Sequence, residues 1–103
     1  MIDRKNIEKI LAARLAELPL GHALEIRTYK RNRAVLFFRQ ESDEYRIVQK
    51  GFGQSDEIVA AHRLKKTLRR LLAEEFPRSN KVRLYALGVF DIDVDSSKHL
   101  KII

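Results

Sequence analysis

Residues 34–38 read Ala34-Val35-Leu36-Phe37-Phe38, and this run decides which fold the chain can adopt. β-Branched and aromatic side chains favour a strand. Apolar residues at successive positions in so short a run are typical of a central strand covered on both faces. The flanking stretches alternate between apolar and polar positions, with polar breaks at 31–33 and 42–43. We therefore predict a three-stranded meander with strands at 23–30, 34–40 and 44–50.

An amphipathic helix precedes this meander. Apolar residues recur at helical spacing over residues 3–18. Asp3 stands at the position of an N-cap, and Pro19 with Gly21 marks the end of the run. We predict the first helix over residues 3–18.

A second helix is predicted after the meander, over residues 56–75. Ser55 is suited to cap its N-terminus, and Asp56 and Glu57 would lie near the positive end of its dipole. Pro77 would stop it. Its apolar stripe consists of Ile58, Ala61, Leu64, Leu68, Leu71, Leu72 and Phe76.

These elements, with a last strand over residues 81–90, predict the fold class α+β in a single domain spanning residues 1–103. The order is α-β-β-β-α-β, and the expected architecture is an antiparallel or mixed sheet with two helices on one face. The second face of the central strand would then be open. Either the C-terminal segment 90–103 or a second copy of the chain would cover it, and the sequence leaves both alternatives open.

Composition limits the class of molecule that the protein can bind, but it does not indicate a reaction. The 103 residues carry 21 Lys and Arg against 14 Asp and Glu, a formal net charge of +7. Such an excess attracts polyanions, RNA or DNA among them. The chain contains no cysteine, which excludes disulfides and thiolate chemistry. Charged residues interrupt the first twenty positions, so we expect no membrane segment and a cytoplasmic location.

The strongest binding signal is a pair of basic clusters. The second helix contains five Lys and Arg among its residues 63–70, and the first hairpin is also rich in arginine. Mobile cations of this kind contact phosphates without reading base sequence, and an aromatic neighbour such as Tyr29 can stack on an unpaired base. A solvated basic surface explains the same residues. The predicted nucleic-acid-binding residues are Arg27, Tyr29, Lys30, Arg31, Arg33, Arg63, Lys66, Arg69 and Arg70.

The stretch from Lys50 to Ser55 resembles two RNA-binding signatures over a few residues only. Lys-Gly-Phe-Gly at 50–53 matches the opening of the RNA-recognition-motif signature. The Gly-x-Gly-x-Ser run also looks like the loop before the second helix of a double-stranded-RNA-binding domain. Because the sequence departs from both patterns immediately afterwards, no functional residues are carried over, and the glycines are interpreted as a strand-to-helix connection.

No metal, cofactor or catalytic site is expected. Asp91, Asp93 and Asp95 have the spacing that opens a calcium loop, but Ser96 replaces the required glycine. A strand with the aspartates towards water and Ile92 and Val94 packed inward explains the same pattern. The three histidines lie in separate segments and form no catalytic or zinc motif.

Two functions remain open. The first is a non-catalytic module that binds nucleic acid or the ribosome through phosphate contacts, with strong salt dependence. The alternative is a protein–protein interaction module that self-associates as a homodimer through the open sheet face around Leu36 and Phe38 or Val35 and Phe37.

Overall fold

A computed structural model describes residues 2–28, 33–50, 54–75 and 81–90 of the chain. Two helices and six strands follow one another in these ranges. In chain order they are β1 (Ile2–Asp3), α1 (Arg4–Ala16), β2 (His22–Thr28), β3 (Ala34–Glu41), β4 (Glu44–Lys50), β5 (Gln54–Ala60), a 3₁₀ turn (Ala61–Arg63), α2 (Leu64–Glu75) and β6 (Lys81–Val89).

The strands form one antiparallel sheet in the order β1-β6-β2-β3-β4-β5. The predicted meander is confirmed, with β4 at the predicted bounds and β3 one residue longer. The last strand is confirmed as well, and it inserts beside β2. This insertion makes β2 an interior strand. At the far end of the sheet, β5 pairs only with β4 and forms an edge.

The second helix begins later than predicted. Residues 54–60 form β5, which pairs with the whole of β4, and α2 starts only at Leu64. Ser55 therefore caps no helix, and Asp56 lies in the sheet. Ile58 belongs to the predicted helical stripe, yet 58% of it is exposed, whereas its neighbour Val59 is buried. The inward residue of this stretch is set by the period of a strand, not of a helix.

Both helices pack on one face of the sheet, as predicted. Inward residues of α1 and α2 form one core with alternate residues of the strands, including Val35 and Phe37 of the central strand. Tyr45 of β4 is buried in this core, and its hydroxyl donates a hydrogen bond of 2.6 Å to the backbone carbonyl of Leu15. This contact joins the sheet to the end of α1.

The N-terminus of α1 lies at the predicted position, but the side chain of Asp3 makes a different contact from the predicted cap. Asp3 is the N-cap residue and makes no side-chain capping hydrogen bond. Its carboxylate instead pairs with the ammonium group of Lys81, the register partner of Asp3 in the β1–β6 ladder. An ion pair across two strands thus takes the place of the expected cap.

The second face of the sheet carries a smaller core of Ala23, Leu36 and Phe90, with the half-buried Phe38, Val48 and Leu87 packed against it. Leu36 is completely buried within a single chain, so this face is not open at its centre. Phe90, the first residue of the C-terminal segment, provides part of the cover, and the rest of that segment lies outside the described residues. Self-association through this face stays a prediction.

Candidate nucleic-acid interface

The outward face of α2 is a strongly basic surface. Leu64, Leu68, Leu71 and Leu72 are buried against the sheet and fix the rotation of the helix. This rotation turns the basic residues of the helix and of the preceding 3₁₀ turn outward, where all of them are exposed. They are His62, Arg63, Lys65, Lys66, Arg69 and Arg70.

The arginines of the second half of this row are paired with carboxylates. Arg69 donates to Glu8 of α1 at 2.9 Å. Arg70 donates to Glu57 of β5 at 2.6 Å and lies 3.7 Å from Glu74. These exposed pairs are worth at most about 1 kcal/mol each, so a phosphate can compete for the arginines.

The first half of the row has no such partners. Arg63, Lys65 and Lys66 form no ion pair with any residue in the described ranges. The first turn of α2 contains no acidic residue, and Ala60, the N-cap of the 3₁₀ turn, supplies no side-chain cap. The positive end of the helix dipole repels these cations. An anion bound at this end of the helix would reduce that repulsion.

A groove of about 660 Å³ runs between this row and the β5 edge. Arg63, Lys66 and Arg70 line its helix side, and residues 57–60 line its strand side. A second groove of about 510 Å³ lies between α1 and α2, with alanines along α1 and Lys65 and Arg69 along α2. The basic row therefore forms the ridge between two shallow depressions.

The acidic side chains of β5 point to opposite faces of the sheet. Glu57 lies on the α2 side and binds Arg70, whereas Asp56 binds Arg46 on the second face at 2.7 and 2.9 Å. The hydrogen bond from Arg46 lowers the pKa of Asp56 below its usual value. Partial burial opposes this shift, and the charge of Arg46 adds to it. Of these two carboxylates, only Glu57 weakens the positive potential of α2.

The predicted site residues separate into two groups. Arg63, Lys66, Arg69 and Arg70 share the outward face of α2. Arg27 lies on the opposite side of the sheet, where it is 8% exposed, binds Glu25 at 2.6 Å and lies 5.8 Å from the centre of the Tyr85 ring. Arg33 is half-buried immediately before β3. Tyr29, Lys30 and Arg31 lie outside the described residues.

Sequence reasoning left Lys65 and His62 out of the site and missed both grooves. Lys65 is exposed and lines the groove beside α1. The groove beside β5 exists because residues 54–60 form a strand next to α2. That strand was not predicted, because Ser55 has the residue type of a helix N-cap. Across the β4–β5 pair, the amide oxygen of the buried Gln49 accepts a hydrogen bond from the Ser55 hydroxyl, a contact that only the folded chain shows.

The described residues contain no cluster of three or more His, Asp or Glu that could hold a metal ion. The aspartates at 91, 93 and 95 lie outside the described ranges. Neither helix in the described part of the chain has the length and apolar character needed to cross a lipid bilayer. Comparison with protein-family models, with curated proteins and with solved structures found no match to this chain.

Proposed function

We propose that the protein is a non-catalytic module that binds nucleic acid through phosphate contacts made by the outward face of α2. The observation that carries the proposal is the row Arg63, Lys65 and Lys66, three exposed cations without an acidic partner among the described residues. Arg69 and Arg70 extend the row along the helix.

The geometry of the row suits a phosphate backbone. Each residue adds 1.5 Å along the helix axis, so the cations from Arg63 to Arg70 span about 10 Å. A duplex carries one negative charge per roughly 1.7 Å of its axis, so several phosphates lie within that span. Cations on flexible stems contact these charges without a base-specific geometry, which predicts binding to many sequences.

The proposal predicts a defined salt dependence. Three phosphate contacts give a slope of log K against log salt of about −2.7, which corresponds to a loss of about 40-fold in affinity between 50 and 200 mM salt. Contacts from Arg69 and Arg70 would steepen the slope, because each further phosphate contact releases counterions from the nucleic acid. Each of these arginines must first leave its carboxylate partner.

Fluorescence anisotropy of labelled duplex and single-stranded RNA and DNA, at 50 and 200 mM salt, tests this. We expect the double variant Arg63→Ala/Lys66→Ala to weaken binding and to reduce the slope by about 2. The matched control is Arg14→Ala, which removes an exposed arginine of α1 that lines neither groove. Absence of binding at 50 mM salt, or an equal loss in the control, would contradict the proposal.

A further inference from the structure

The outer edge of β5 presents unpaired backbone groups. The backbone N–H of Ala61 donates to the carbonyl of Asp43 at 2.7 Å and continues the β4–β5 ladder. Hydrogen-bonded and non-hydrogen-bonded pairs alternate along an antiparallel ladder, so the backbone N–H and C=O of Asp56 and Ile58 point away from β4. These groups make no hydrogen bond within the described part of the chain. The edge can therefore accept a further strand.

β5 lacks the features that protect a sheet edge from such pairing. It contains no proline, and its ladder with β4 runs through seven residues without a bulge. Its two acidic side chains are already compensated. Asp56 is paired with Arg46, and Glu57 is paired with Arg70. Ile58 is 58% exposed, so the edge is regular, largely neutral and partly apolar.

The basic row of α2 runs alongside this edge. Glu57 contacts Arg70, and Ala60 is followed by the 3₁₀ turn that ends at Arg63. The two strand residues are about 10 Å apart, and the two arginines are also about 10 Å apart along the helix. Lys66 lies between the arginines, and all three cations line the groove of about 660 Å³. A strand added to β5 would therefore have these cations beside it on the α2 side.

The charges and the exposed isoleucine indicate the chemistry of the partner. In an added strand, alternate side chains would point to the α2 side about 6.7 Å apart, and the others would lie beside Ile58 on the second face. Carboxylates suit the first set, because Glu57 already reaches Arg70 from the strand side. Apolar side chains suit the second set, because they would cover Ile58. A second copy of this chain would bring another basic α2 to the edge, so like charges oppose it.

We propose that the outer edge of β5 binds an extended acidic peptide of another protein as an additional antiparallel strand. Acidic residues at alternate positions of the peptide pair with Arg63, Lys66 and Arg70, and the apolar residues between them pack on Ile58. The peptide backbone bonds to the outward N–H and C=O groups of Asp56 and Ile58. Binding of this peptide does not depend on the proposed nucleic-acid binding, and the two ligands exclude each other because both use the same cations.

Fluorescence anisotropy of a labelled heptapeptide in which Glu and Val alternate tests the contact at low salt. The matched control peptide carries N-methyl groups on its Val residues, whose N–H groups would face β5. This change blocks strand pairing and keeps every charge, so we expect binding at least about tenfold weaker. Equal affinities would show that charge alone holds the peptide and would overturn the proposal, as would absence of binding by the unmodified heptapeptide.

A charge reversal tests the groove. Lys66→Glu turns an attraction into a repulsion, and we expect it to weaken binding of the alternating heptapeptide at least about tenfold. The matched control is Arg14→Glu, which reverses an exposed charge of α1 that lines neither groove. An equal loss in the two variants would contradict the proposal.

Amide hydrogen exchange measured by NMR reports on the edge itself. Saturating heptapeptide should slow exchange at Asp56 and Ile58 at least about tenfold and leave Glu57 and Val59, which bond to β4, nearly unchanged. Duplex RNA should protect neither outward amide, because it offers no strand to pair, so failure of one proposal is distinguishable from failure of the other. Unchanged exchange with the heptapeptide would overturn the inference. Protection of Asp56 and Ile58 before any peptide is added would also overturn it, since the edge would then already be covered.

Discussion

The hydroxyl of Tyr45 in β4 donates to the backbone carbonyl of Leu15, 2.6 Å away, and so joins the sheet to the C-terminal turn of α1. The same carbonyl also accepts from the N–H of Leu18. After loss of the tyrosine hydroxyl, the Leu15 carbonyl therefore still accepts one hydrogen bond. We expect Tyr45→Phe to destabilise the protein by about 1 kcal/mol, the net value of one buried hydrogen bond.

Thermal denaturation should show this change as a Tm lowered by roughly 4–8 °C. Tyr85→Phe is the control, because the hydroxyl of Tyr85 makes no hydrogen bond to the described residues. An equal loss in both variants would show that the Leu15 contact has no special weight.

The ion pair between Glu25 and Arg27 should show strong coupling. The side chains are 1% and 10% exposed and their charged atoms lie 2.6 Å apart, so each charge compensates the other. Either Glu25→Leu or Arg27→Met alone should cost about 3 kcal/mol or more, since each removes the opposite charge that lies against a buried side chain. The double variant should be far closer to the wild type.

A double-mutant cycle by urea denaturation measures this coupling. Additive losses in the two single variants would mean that the pair contributes nothing beyond its separate side chains. That result would contradict the interpretation of the buried pair as a single compensated unit.

Asp56 should contribute to the acid sensitivity of the fold. Its pKa is lowered by the hydrogen bond from Arg46, so the folded state favours the charged carboxylate. The stabilisation is therefore present above the ordinary pKa of aspartate and is lost as the pH falls through the lower pKa of the folded state. Arg46→Gln should raise the pKa of Asp56 towards its ordinary value.

An NMR titration of the Asp56 carboxyl carbon measures this shift directly. Lys50→Gln is the matched control, because it removes a cation from the same strand that forms no ion pair with Asp56. A titration midpoint unaffected by Arg46→Gln would show that Arg46 does not cause the lowered pKa of Asp56.

Glu57 should restrain nucleic-acid binding. It holds Arg70 at 2.6 Å and places a negative charge beside the basic row of α2. Glu57→Gln removes that charge and the shorter of the two ion pairs of Arg70, so we expect tighter binding and a salt slope steeper by about 0.9 for a duplex. Glu41→Gln makes the same change of charge in an exposed residue at the end of β3. Equal anisotropy titrations for the two variants would argue against a specific contact by Arg70.

Local pattern was sufficient to predict the meander. In β4, Tyr45 and Ile47 are buried and alternate with half-buried residues, the periodicity that the sequence shows. The boundary of α2 was wrong because Ser55 and Asp56 are favourable at a helix N-terminus, and Ile58 and Leu64 fit a helical stripe. Pairing of residues 54–60 with β4 outweighs those local preferences.

The binding residues were predicted by type but not by location. Composition identified the basic residues, and the rotation of α2 brought four of them to one face. The burial of Arg27 could not be predicted from the sequence. It depends on the ion pair with Glu25, two positions away on the same strand, and on whether this face of the sheet is covered. Contacts with elements distant in the chain decide which charges remain at the surface.

The position of β6 has a consequence for the order of folding. His22 pairs with Val89 and Thr28 with Val82. The edge of β2 that does not pair with β3 is therefore paired only with β6, the last strand that the structure describes. During synthesis, the chain up to β5 can form its meander while this edge stays unpaired. Late, long-range closure is slow and exposes a strand that can pair with another chain. Nascent chains stopped before residue 81 should therefore be the most prone to aggregate.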